Sequence, residues 1–172
     1  GQLAKHQDAL GNVEAFSYDE LGNMVEHIDA LGAKTSYAYD LHGNVTSKTD
    51  ALGNVTAYET DLAGNMTALT QANGAVYRYG YDALNRIESV TTPKGYIKTF
   101  SYDAQGNLSE ESDNLGSRTS YAYDALHSML SAENARGGQN SFFYDGAGNL
   151  VKETDGSGAA TTYAYDLAGR LV

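Results

Sequence analysis

The side chains able to do chemistry in this chain are carboxylates, histidines and tyrosines. Asp and Glu total 22 against 11 Lys and Arg, a net charge of −11 over 172 residues, with four His, 14 Tyr and no Cys. Two carboxylates converging in a cleft can divide general-acid and general-base work. Oxygen-rich runs such as Asp40-Leu41-His42-Gly43-Asn44 can offer ligands to calcium, which takes about six to eight oxygens. Rows of tyrosine can stack on sugar rings. The absence of cysteine removes disulfides, zinc ribbons and thiol catalysis. An acidic chain with scattered Lys and Arg lacks the basic surface that nucleic acid requires.

Spacing decides among these chemistries. His6, His27, His42 and His127 fall at unrelated places in the repeat described below, with no partner at motif spacing. The aspartates do the opposite, since all 13 stand at the first position of an Asp-x-x-Gly-type turn. Asp favours that position of a type I turn because its side chain caps backbone N–H groups, and Gly favours the fourth. Carboxylates committed to caps are not paired for acid–base work, so no catalytic residue is assigned and no enzyme is expected. Neither EF-hand spacing nor a Gly-Gly-x-Gly-x-Asp roll is present, so no metal or cofactor is assigned. Adventitious cation binding to stacked turn aspartates stays open. The tyrosines alternate with small residues such as Ser17, Ala38, Ser101 and Ala122, the pattern of a packed ladder. Glycan-binding repeats of similar period depend on tryptophan, which is absent.

The element that must position all of these is a repeat. Tyr-Asp recurs at Tyr18-Asp19, Tyr39-Asp40, Tyr81-Asp82, Tyr102-Asp103, Tyr123-Asp124, Tyr144-Asp145 and Tyr165-Asp166, and Thr60-Asp61 fills the remaining slot, giving eight periods of 21 residues without insertion. Two residues before the Tyr stands an aromatic, from Phe16 to Tyr163. Four after it stand Gly22, Gly43, Gly64, Gly106, Gly148 and Gly169, with Asn85 and His127 in the other two slots. Asn and His are among the residues that tolerate positive φ, so these exceptions keep the same turn geometry. Fourteen after the Tyr slot comes a second glycine, from Gly32 to Gly158, in phase with Gly11. The single proline, Pro93, falls at the second position of such a turn, where its fixed φ helps.

Between the turns lie two strands per repeat, such as residues 33–39 and 44–49, rich in Thr, Tyr and Val. Each turn therefore reads as a three-residue hairpin loop closed by a left-handed glycine. Tyr39 is expected opposite Val45, an aromatic–aliphatic pair, with Tyr37 beside Ser47 on the same face. An odd period leaves one residue per repeat to absorb, because each slip flips the face. It is expected at the second turn, as a longer loop or a bulge.

The whole is expected to be all-β, about 16 antiparallel strands in stacked hairpins. Leu, Ile, Val and Phe make up only 31 of 172 residues, so stability must come from neighbouring repeats more than from a core. No apolar run reaches the about 18 residues of a membrane span, so no membrane insertion by this segment is expected. The N-terminus also lacks an apolar signal region. Residues 1–172 read as a single array of eight repeats, and ends without polar caps suggest a segment of a longer repeat protein.

Tyr39-Asp40-Leu41-His42-Gly43-Asn44-Val45, Thr49-Asp50-Ala51-Leu52-Gly53-Asn54 and Tyr165-Asp166-Leu167-Ala168-Gly169-Arg170-Leu171 resemble the YD (Rhs) repeat, over the whole chain. The family includes bacterial Rhs and wall-associated polymorphic toxins, toxin-complex components and teneurins. The resemblance implies a spiralling antiparallel sheet, part of the wall of a hollow shell, that encloses or displays a toxin or an adhesive domain. It implies an extracellular or cell-surface location, secretion by a bacterium, and as partners the rest of a larger repeat shell and its enclosed toxin domain. The residues carrying it are Tyr18, Tyr39, Tyr81, Tyr102, Tyr123, Tyr144, Tyr165, Asp19, Asp40, Asp82, Asp103, Gly22, Gly43, Gly64, Gly106 and Gly148, as structural repeat positions. The aspartyl self-cleavage motif that ends bacterial shells has no counterpart here, since no Asp-Pro pair occurs. The alternatives are an extracellular adhesive or glycan-binding array, and a filament of like subunits joined end to end through their exposed strands.

Overall fold

The computed structural model describes residues 2–172. They form sixteen strands, and within each of the two units sequential strands pair antiparallel, in chain order. The chain divides into two compact units, the first ending at Lys94 and the second running from Gly95 to Val172. Unit 1 holds β1 (Lys5–Gln7), β2 (Val13–Tyr18), β3 (Met24–Ile28), β4 (Lys34–Tyr39), β5 (Val45–Thr49), β6 (Val55–Thr60), β7 (Met66–Thr70), β8 (Val76–Tyr81) and β9 (Ile87–Thr91). Unit 2 holds β10 (Ile97–Tyr102), β11 (Leu108–Asp113), β12 (Arg118–Tyr123), β13 (Met129–Asn134), β14 (Gln139–Tyr144), β15 (Leu150–Thr154) and β16 (Ala160–Thr162).

Within each unit successive strands are joined by the same device. The Asp19 amide donates to Asn23 O at 2.9 Å and Gly22 N donates to Asp19 O at 3.1 Å, closing a three-residue loop. The second turn of that repeat has the same bonds, Asp29 N to Ala33 O and Gly32 N to Asp29 O. In an up-and-down sheet of such hairpins, first turns line one edge of each unit and second turns the other.

The two hairpins of a repeat differ in register. Across the second turn the pairing is regular: Glu26 faces Ser36, His27 faces Thr35 and Ile28 faces Lys34. Across the first turn Tyr18 faces Met24 but Ser17 faces Glu26, so Val25 is the extra residue of a β-bulge. The same shift recurs at Tyr39, Thr60 and Tyr81 in unit 1 and at Tyr102, Tyr123 and Tyr144 in unit 2. The odd residue is therefore absorbed beside the first turn and not at the second, which corrects the sequence-based expectation. Tyr39 does face Val45, as expected, but the bulge places Tyr37 opposite Lys48 and gives Ser47 to Ala38.

The bulge sorts the side chains into two faces. One face carries the repeat tyrosine, the aromatic two before it and the residue nine after it, such as Tyr18, Phe16 and His27. The other carries small and charged residues such as Ser17, Ala38 and Glu26, and Ser17 and Ala38 are exposed. Among the described residues only Ala68 is buried, between Glu59 and Arg78 on its neighbouring strands. Each unit is held by ladders, caps and cross-strand pairs, with no enclosed volume of side chains.

Candidate functional site: turn caps and tyrosine hydroxyls

The turn aspartates are capped as their type requires. Asp19 Oδ1 accepts from Leu21 N at 3.0 Å and Asn23 N at 2.8 Å, while its Oδ2 accepts from Asn23 Nδ2 at 2.9 Å. Asp40 and Asp103 are bound the same way, by Asn44 and Asn107. At Asp82 an arginine takes the amide's place, with Arg86 Nε donating at 2.7 Å and Arg86 Nη2 at 2.6 Å. Donors aimed at the ionised form hold these carboxyls below the usual Asp range. The Asn23 amide contributes most at Asp19, the Asn44 amide at Asp40, the Arg86 side chain at Asp82 and the Asn107 amide at Asp103. A carboxylate fixed ionised by such donors is a structural cap and a poor proton donor at neutral pH.

The loop glycines have φ between 73° and 94°, including Gly22, Gly43, Gly64, Gly106 and Gly148. Asn85 at 60° and His127 at 66° adopt the same conformation. A Cβ built on Gly43 would lie 3.6 Å from Asn23 Oδ1, so the turn of one repeat abuts the asparagine of the repeat before. The two non-glycine residues use that proximity. Asn85 Oδ1 accepts from Asn65 Nδ2 at 2.9 Å, and His127 Nδ1 lies 2.6 Å from Asn107 Oδ1. Backbone tolerance was legible from their types, whereas the bond to the previous repeat depends on register.

The tyrosine hydroxyls form the second set of ties. Tyr18, Tyr39, Tyr81, Tyr102, Tyr123 and Tyr144 each end a strand, and Tyr165 bridges Leu171. Tyr39 Oη donates to Met24 O at 2.7 Å, fifteen residues back and in the preceding repeat. Tyr18 does so to Leu3 O, Tyr81 to Met66 O, Tyr144 to Met129 O and Tyr165 to Leu150 O. Burial of these rings pushes the hydroxyls of Tyr39, Tyr81 and Tyr123 above the usual phenol range. Because the carbonyl belongs to the residue opposite the previous tyrosine, each bond staples one hairpin to the next.

The repeat positions are thus distributed one set per repeat along the sheet, and they do not converge on a cleft. Among the described residues no group of three or more His, Cys, Asp or Glu is placed to hold a metal ion. His27 stacks on Phe16, with centroids 4.8 Å apart. Unit 2 adds contacts that the repeat did not announce. Lys98 Nζ lies 2.7 Å from Glu111 Oε2, and Tyr163 Oη donates to Glu153 Oε1 at 2.7 Å. The Lys98 ammonium above all holds the Glu111 carboxyl below its ordinary range. Glu111 and Glu153 occupy the slot nine after the repeat tyrosine, and only the bulge puts that slot on the aromatic face.

Comparison with known proteins agrees with this geometry. The Tc holotoxin pore of Photorhabdus luminescens is similar to 94% of this chain, at 17% identity and a TM-score of 0.74 over 10% of that chain. The crystal structure of TcdB2–TccC3 is similar to 98% of it, at 16% identity and a TM-score of 0.77 over 11% of that chain. A second crystal structure, TcdB2–TccC3–TEV, gives 18% identity and a TM-score of 0.76 over 98% of this chain and 11% of that one. This chain therefore spans about a tenth of the length of the solved chains it matches, and at these identities the likeness establishes the fold. A search of curated protein sequences gives no match. The family model described as the teneurin YD-shell matches residues 4–172, and the chain belongs to the teneurin YD-shell family.

Proposed function

We propose that this chain is a stretch of wall in a YD-repeat shell that encloses or displays a toxin or adhesive domain lying outside it. The supporting observation is the hydroxyl staple, Tyr39 to Met24 O and its equivalents, which spends the most distinctive side chain of the repeat on joining repeat to repeat. In this reading its partners are further repeats of a longer array and the enclosed domain, and its place is extracellular or on a cell surface. Unit 1 and unit 2 act as parts of a single array, and the capped aspartates and left-handed glycines serve to return each strand at constant pitch.

Protease protection tests this. In the full protein carrying this segment, the enclosed domain resists protease while the array is intact. Deleting one 21-residue repeat exposes it. Equal digestion of the domain with intact and shortened arrays would rule out enclosure.

A second reading, an adhesive array for glycans, draws on one feature of unit 2. Phe142, Glu153, Asn140 and Asp155 line an open groove, combining a ring face with carboxylate and amide groups. Its test is retention on glycan columns that is lost in Phe142→Ala; unchanged retention would count against it.

A further inference from the structure

Apolar side chains on this chain are most exposed at the tips of its turns. In unit 1, Leu21, Leu41, Leu62 and Leu84 tip the first turns and are 71–101% exposed. Leu10, Leu31 and Leu52 tip the second turns on the opposite edge, at 88–94%. Single exposed leucines are ordinary on a protein surface. A leucine at one of the two middle positions of seven turns, the third in five of them and the second at Leu41 and Leu62, makes a stripe along each edge, the kind of apolar surface that marks an interaction site. The turns do not require it: their caps use the Asp side chain, the Gly backbone and the N–H two residues after the Asp, which any non-proline residue supplies, as His42 and Ala63 do.

We infer that these leucine-tipped edges are seams, each packing against the opposite edge of a second strip of the same repeats. This rests on the shell reading, because in a strip wound into a wall the first-turn edge of one coil faces the second-turn edge of the next. Three observations favour a like strip as the occupant. The tips recur every second strand on both edges, a spacing of about 10 Å, so two strips stay in register along their length. The middle residues of the seven leucine turns carry one formal charge, at Glu20, on a chain of net charge −11. Each opening aspartate folds its carboxylate inward onto its own turn. Two strongly acidic copies could meet there without opposing bare charges. The area also fits. Seven leucines at roughly 100 Å² each, with the adjoining alanine methyls, approach the about 1,000 Å² at which specific interfaces begin. Contact between separate copies would then be weak, and contact between coils of one longer chain would be held by effective concentration.

The test is sedimentation velocity of the 172-residue chain over a concentration series up to its solubility limit. A first-turn on second-turn contact is heterologous and does not close, so the average mass should climb with concentration and not stop at a dimer. Replacing Leu21, Leu41 and Leu62 by Gln, or Leu10, Leu31 and Leu52 by Gln, should each weaken association about tenfold or more. Mixing the two variants should restore pairs but no larger species, since each keeps one intact edge. Unchanged circular dichroism and melting would show that both variants fold. A chain that stays monomeric throughout would overturn the seam. Growth equal to wild type in both variants would also overturn it, and would place association at the end strands. Neither result touches the protease-protection test, so the seam and the enclosure can fail separately.

Discussion

Units 1 and 2 share one turn chemistry and differ in almost everything the turns leave free. In unit 1 the slot nine after the repeat tyrosine holds His27, Lys48, Leu69 and Val90; in unit 2 it holds Glu111, Ala132 and Glu153. Unit 2 accordingly ties this face through its carboxylates, with an ion pair from Lys98 to Glu111 and a hydrogen bond from Tyr163 to Glu153, while in unit 1 His27 stacks on Phe16. The edges differ too. Three turns of unit 2 are leucine-tipped, at Leu115, Leu126 and Leu167, and others carry Gln105, Arg136 or Ser157. The capping bonds are the same at Asp19 and at Asp103, down to the asparagine that closes them. The strand path is thus set by cap, glycine and bulge. Side chains on the strands and tips can change without disturbing it, which frees one unit to present an apolar seam and the other a charged face.

That comparison can be broken by acid. The capped carboxyls in both units, such as Asp19, Asp40, Asp103 and Asp145, titrate below the ordinary Asp value because their ionised form is hydrogen-bonded by the closing asparagine. A lowered folded pKa means stability that is fully present above the unfolded value of about 3.9 and lost as pH falls through the folded values. Circular dichroism should therefore show both units losing sheet together below about pH 4. Survival of one unit would show that its turns do not depend on their caps.

Backbone substitutions come next in size. Gly43→Val in unit 1 and Gly148→Val in unit 2 each force a β-branched residue to a φ near 85° and should cost about 1–3 kcal/mol in urea unfolding. Gly43 should cost more, because Asn23 Oδ1 lies against it while the space around Gly148 is open. Removing one staple is smaller. Tyr39→Phe and Tyr144→Phe should each lose about 1 kcal/mol, equally, since both hydroxyls reach a methionine carbonyl of the preceding repeat. Unequal losses would mean that the staple does different work in the two units. The smallest effect is expected where the units differ most. Glu111→Gln breaks a half-exposed pair with Lys98 and should cost about 0.2–1 kcal/mol, an effect that fades in high salt.

Most of this fold was legible in the sequence. The 21-residue clock, the Asp caps and the left-handed glycines are local rules, read correctly even at Asn85 and His127, where glycine is replaced. The Tyr39–Val45 pair followed from turn geometry alone. The bulge residue escaped because Val25, Thr46 and Thr67 have no distinguishing type; an odd period says that a residue is extra but not which one. Misplacing it put Tyr37 beside Ser47 in place of Lys48, and hid the pairing of Glu111 and Glu153 with the aromatic face.

By itself the sequence determined what depends on neighbours within one turn: where each strand reverses, which residues take positive φ, and that all 13 aspartates are caps. Those choices are decided by side chains hydrogen-bonding backbone two to four residues away, so the linear code contains them. The tertiary structure decided what depends on register between strands: the place of the bulge, the reach of each tyrosine hydroxyl to a carbonyl fifteen residues back, and the pairing of Asn65 with Asn85. A one-residue slip turns every side chain of a strand to the other face, so these contacts exist only once the whole ladder has settled into a single alignment.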